Sequence, residues 1–127
     1  MTTITVYTPD QSTICGFKAE GHAGGRRIRG YDLVCCAVSA LTQTGVNALF
    51  TVAGTEPDVK VDEQTGYLRC ILPDEMSMQT KEKAEIVLRT VIQGLTDIQN
   101  IYPKFIRIQQ KEWRQADAYD ESSALRS

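Results

Sequence analysis

The sequence predicts an α+β domain, one mostly antiparallel sheet carrying two helices in the order ββαββαβ. Three observations predict it. Two pairs of alternating segments, rich in β-branched and aromatic residues, are each joined by a turn signal. Each pair is followed by an apolar pattern of helical period, and a short apolar segment follows a proline near the end. At 127 residues the chain makes one domain, able to bury about two-thirds of its unfolded surface.

The elements follow in order. Thr3–Tyr7 alternates and reads as a strand, Pro9-Asp10-Gln11 turns the chain, and Thr13–Glu20 is its hairpin partner. Gly21, Gly24, Gly25 and Gly30, with Arg26, Arg27 and Arg29 among them, make residues 21–30 a glycine-rich basic loop. Asp32 suits the N-cap of a helix running from Leu33 to about Val52. Its expected inner face is the small-residue line Ala37, Leu41, Thr44, Ala48 and Val52, with Gly54 closing the helix. Asp58–Asp62 and Gly66–Leu72 flank the turn Glu63-Gln64-Thr65-Gly66 as a second hairpin, closed by Pro73.

From Ser77 to Tyr102 a long amphipathic helix carries Ala84, Leu88, Val91, Leu95, Ile98 and Tyr102 on one stripe, widened by Val87 and Ile92. Pro103 ends it, and Phe105–Ile108 forms the last strand. The domain is read as residues 1–112, with 113–127 a flexible tail poor in large apolar residues. So wide a stripe invites cover from a second copy of the chain.

Composition excludes several classes. The chain is 42% hydrophobic and 24% charged with a net charge of −2, so no global basic field draws nucleic acid. The opening MTTITVYTPD has neither a basic start nor a long apolar run, and no stretch approaches the ~20 apolar residues of a membrane span. Cys15, Cys35, Cys36 and Cys70, two of them sequence neighbours, fit a reduced cytoplasmic protein better than a disulfide framework. With no CxxC pair and one histidine, zinc ligation lacks its ligand spacing.

Chemistry concentrates in GHAGGRRIRGYDLVCCAVSAL, residues 21–41. It holds His22, the only histidine, and Cys35 at what the pattern makes the third position after the Asp32 cap. Thiolates are the reactive form, and helix-end N–H groups with a nearby imidazolium favour them. His22 is the one side chain suited to act as base near neutral pH. The plain reading of a helix cysteine is a small core residue, and that is the expectation for Cys36, Cys15 and Cys70.

Asp32 can orient His22 besides capping. Ser39, one turn beyond Cys35, can donate to the thiolate or oxyanion, or bond back to its own helix. The loop lacks a P-loop GKS or GKT ending and does not spell GxGxxG. Its glycines fit a lid closing over substrate, with Gly24, Gly25, Arg26, Arg27, Arg29 and Gly30 as the substrate loop.

GHA, a glycine-containing loop and then DLVCCAVSALTQTGVNAL closely resemble the GHA…DIVCAAVSAL pattern of the ribosomal-processing cysteine proteases called Prp, and the likeness continues through EPDVKVDEQTGYLRCILP into the second long helix. It spans about residues 2–110. The resemblance implies a small homodimeric cysteine protease without metal or organic cofactor, removing an N-terminal extension from large-subunit ribosomal protein number twenty-seven. It places the base on His22 and the nucleophile on Cys35, with Asp32, Ser39 and Gly21 at supporting positions. Cys36 stands where the family commonly has alanine. An apolar groove is expected beside Cys35, under the Gly24–Gly30 loop.

Two other classes compete. One is a non-catalytic ribosome- or RNA-binding module using the loop arginines, disfavoured by the net acidity and by the lack of aromatic residues among them. The other is a thiol redox sensor pairing Cys35 with Cys36 or a partner-chain cysteine.

Overall fold

The computed structural model describes residues 1–10, 12–21 and 29–114, with the backbone alone for residues 29–32. Its elements are β1 (Thr2–Thr8), β2 (Gly16–Glu20), α1 (Arg29–Ala48), β3 (Asp58–Asp62), β4 (Tyr67–Ile71), α2 (Met78–Ile101) and β5 (Ile106–Glu112). The α+β class and the ββαββαβ order are those expected. The five strands form one sheet in the order β3-β4-β2-β1-β5, antiparallel except where β5 runs parallel to β1.

Both helices pack on the sheet face carrying Ile4, Val6, Phe17, Ala19 and Cys70. The α2 stripe falls as predicted, with Ala84, Leu88, Val91 and Leu95 buried. Ser77 caps α2 by accepting from the Thr80 N–H at 3.1 Å.

The inner face of α1 is rotated from the expected one. Val34, Val38, Thr42 and Val46 are buried, while Thr44 and Val52 are exposed. Valines fill the space over the sheet better than the alanine line does, and Thr42 enters the core because its hydroxyl donates to the Val38 carbonyl at 2.9 Å. Small residues matter at the crossing with α2 instead. A Cβ on Gly45 would stand 2.5 Å from Val91 Cγ2, and one on Gly94 2.9 Å from Leu41. After Ala48 the helix widens into a five-residue π-helical turn, Leu49–Ala53, ended by Gly54 at φ 74°.

One sequence expectation needs correction here. The stretch Leu33–Ala53 does reach the length and hydropathy (mean 1.5) of a membrane span; in this fold its buried side chains belong to the two cores beneath the helices. Beyond residue 112, Trp113 still packs on the sheet. The Trp113 N–H donates to the Thr8 carbonyl at 3.0 Å, and its ring meets Tyr7 edge-on at 4.7 Å. Residues 115–127 lie outside the described part.

Candidate active site

Cys35 is half-buried on the wall of an open cavity of ≈ 280 Å³. Residues 35, 38, 39 and 42 follow the i, i+3, i+4, i+7 rule, so Cys35, Val38, Ser39 and Thr42 present one face of α1 to it. The opposite wall is the β3–β4 hairpin, including Val61, Tyr67 and Leu68, and the floor holds Ala19 and Gly21 at the end of β2. Cys35, Ser39 and Gly21 are thus brought together, beside an apolar patch of Ala19, Val38, Val61 and Leu68.

Gly21 is glycine for two reasons. Its φ of 105° is one that L side chains avoid, and a Cβ would run into the Met1 carbonyl oxygen. Gly21 lines the cavity, and His22 is the next residue in sequence. His22, Gly24, Gly25, Arg26 and Arg27 lie outside the described residues, as do the side chains of Arg29 and Asp32.

The start of α1 differs from the expectation. The helix begins at Arg29, so Arg29 and Gly30 form its first turn rather than loop, and Asp32 lies inside it rather than at the N-cap. No proline or β-branched residue lies between Arg29 and Leu33 to stop the helix from extending backwards. Cys35 becomes its seventh residue, beyond the four N–H groups that a helix leaves free.

The remaining thiols divide by burial. Cys36 is exposed and not the core residue expected, because the one-residue step around α1 carries it to solvent once Val34 and Val38 face the sheet. Cys70, fully buried in β4, has its thiol pushed up to about 12 by burial, with a smaller push from Asp58. Cys15 stands just before β2 and is raised to about 11, again chiefly by burial. It lines a separate cavity of ≈ 240 Å³ with Asp74, Lys81 and Trp113. Burial disfavours the reactive thiolate form of both.

Among the described residues no three His, Cys, Asp or Glu side chains gather as a metal site would. The sequence reading missed Thr42 and the hairpin wall. Thr42 could have been found by extending the Cys35–Ser39 period one more step; the hairpin is brought to Cys35 only by tertiary packing.

Comparison with known proteins gives a consistent picture. The sequence model of a family described as Cysteine protease Prp matches residues 1–107. The Ribosomal processing cysteine protease Prp of Bacillus subtilis is 30% identical over 104 residues, covering 82% of this chain and 92% of that protein. The namesake from Staphylococcus aureus is 26% identical over 111 residues, 87% of this chain and 100% of the relative. A crystal structure of the S. aureus protease with a substrate peptide superposes with a TM-score of 0.77 at 26% identity, again over 87% and 100% of the two chains. A second, with a covalently linked product peptide, gives 0.75 at the same identity and coverage.

Proposed function

This chain belongs to the Prp family of cysteine proteases, and on that footing we propose that it is a ribosomal-processing endopeptidase using Cys35 as nucleophile and His22 as base. The observation that carries the assignment is the position of Cys35. Its thiol lines the open cavity together with Ser39 and Gly21, and Gly21 directly precedes the sole histidine. Cys15 and Cys70 are held protonated by burial, and Cys36 does not line that cavity.

The chemistry is acyl transfer. His22 takes the Cys35 proton, and the thiolate adds to the scissile carbonyl. The C–N bond breaks as the imidazolium returns its proton to the leaving amine. Water, deprotonated by His22, then attacks the thioester, releasing the new carboxylate and restoring the thiol. Ser39, one turn beyond Cys35 on the same cavity wall, would donate toward the sulfur or the oxyanion. The apolar patch beside Cys35 suits an apolar side chain next to the cut. At ≈ 280 Å³ the cavity is a slot for one or two side chains, below the roughly 300–1,000 Å³ of small-molecule pockets.

The substrate we assign is the N-terminal extension of large-subunit ribosomal protein number twenty-seven, with the Gly24–Gly30 segment closing over it. The working form we assign is a cytoplasmic homodimer. Its contact surface would use the apolar side chains that remain exposed on the helices, among them Phe50, Ile86 and Ile101. A monomer in sedimentation at micromolar concentration would overturn that part.

The decisive experiment incubates the enzyme with the source organism's ribosomal protein precursor beside a Cys35→Ala control, reading the cut by mass. One cut, made by the wild type and by Cys36→Ala but not by Cys35→Ala, is expected. Cleavage by Cys35→Ala would remove the nucleophile assignment, and an intact precursor with wild type would remove the substrate.

A further inference from the structure

The sheet face away from the helices carries a row of charged side chains. The register brings Lys60, Arg69 and Lys18 side by side across β3, β4 and β2, with Thr5 and Gln109 continuing the row. The Gln109 amide donates to the Thr5 hydroxyl at 3.1 Å across it. Like charges on neighbouring strands repel. Within this row and its neighbours, Asp58 stands 3.4 Å from Arg69 and 3.7 Å from Lys60, and Glu20 3.3 Å from Lys18. Arg107 and Lys111 of β5 share the parity of Gln109, so cations outnumber carboxylates on this face while the whole chain is net negative. Arg69 is only 1% exposed there, although both described helices pack on the other side.

The chain leaving β5 turns onto this face. Trp113 follows the parity of Gln109 and Lys111, its ring contacts Tyr7 of β1, and the Arg69 guanidinium lies 5.9 Å from the ring centroid. The indole therefore reaches from the β5 edge inward toward β4. The residues that follow, 115–127, extend past the last position matched by the family and carry Asp117, Asp120 and Glu121 against one cation, Arg126. Thirteen residues can span roughly 40 Å when extended, and five strands are about 19 Å across.

We propose that residues 115–127 dock across the helix-free face of the sheet, laying Asp117, Asp120 and Glu121 along the Lys60–Arg69–Lys18 row. The segment ties β5 at one edge to β4 and β3 at the other. Since β3 and β4 also form one wall of the Cys35 cavity, it braces that wall from behind.

The test is zero-length carbodiimide coupling on the full chain, with linked peptides mapped by mass. Links from Lys60 to Asp58 and from Lys18 to Glu20 report that the reagent reaches the face. Expected are isopeptide links from Lys18 or Lys60 to Asp117, Asp120 or Glu121, formed within one chain in a mixture of light and heavy isotope-labelled protein. In the triple variant Asp117→Asn, Asp120→Asn, Glu121→Gln, acylation of Lys18 and Lys60 should accelerate several-fold while Lys81 and Lys83 on α2 are unchanged. Links confined to the α2 lysines, links only between chains, or equal acylation in both proteins would overturn the proposal.

Discussion

Iodoacetamide at about pH 8 should divide the four thiols of the folded protein into two classes. The ordinary thiol value is 9.0, against about 11 for Cys15 and about 12 for Cys70. A thiol of ordinary pKa is then about 10% thiolate, Cys15 about 0.1% and Cys70 about 0.01%. A more basic thiolate is a better nucleophile, and a Brønsted sensitivity of about 0.45 returns roughly 8-fold to Cys15 and 20-fold to Cys70. The net handicap is about 10-fold for Cys15 and about 50-fold for Cys70.

Burial adds to this, since the Cys70 side chain is fully enclosed and the reagent meets it only after local opening. Peptide mapping over a time course should therefore find modification at Cys35 and Cys36 first, with Cys15 trailing by an order of magnitude and Cys70 last. Comparable rates at all four sites, with the circular dichroism of the folded protein retained, would refute the assignment of Cys15 and Cys70 as inert.

Three substitutions probe the frame. Gly45→Ala gains about 1 kcal/mol of helix propensity, but its methyl lands on the stiff, buried Val91, an overpacking that costs about 1–3 kcal/mol. Urea unfolding should show a net loss of up to about 2 kcal/mol, and a gain would mean α1 and α2 can separate freely. Ser77→Ala removes the α2 cap and should cost about 0.5–2 kcal/mol in the same assay; an unchanged midpoint would count against the cap. Asp10 is held down at about 2 from 3.8, first by the Ser12 hydroxyl, then by the Ser12 N–H and the Thr13 hydroxyl and N–H. Because the folded value is the lower one, its contribution is complete above the unfolded value and fades as pH falls through about 2. The stability gap between wild type and Asp10→Ala should hold steady from about pH 7 to 5 and close toward about pH 2. A gap that widens on acidification would contradict it.

The elements with strict period were legible before folding. Asp58–Asp62 alternates cleanly, and the α2 stripe is apolar at every expected step, so one pattern dictated each element. In α1 two apolar lines compete, because alanines, cysteines and valines are all small and apolar. Sequence cannot choose between Ala37–Ala48 and Val34–Val46 when only the volume over the sheet decides. The packing of Trp113 was hidden for a related reason. It stands alone among polar residues, and nothing in its neighbourhood announces that Tyr7, far away in sequence, offers it a ring.

The site was half legible for a reason that bears on its chemistry. Cys35 and Ser39 share a helix face by spacing alone, but where α1 starts decides what can hold a thiolate. Arg29 is six residues before Cys35, about 9 Å along the axis, and dipole stabilisation fades within the first turn. Free backbone N–H groups therefore sit too far back to act on the sulfur. In the proposed dyad that part falls to His22, the only imidazole the chain possesses. His22→Ala should then slow alkylation of Cys35 at about pH 7 by 10-fold or more, leaving the exposed Cys36 at its original rate. Equal slowing of both, or of neither, would return the burden to the backbone and break the link between the sole histidine and the cavity thiol.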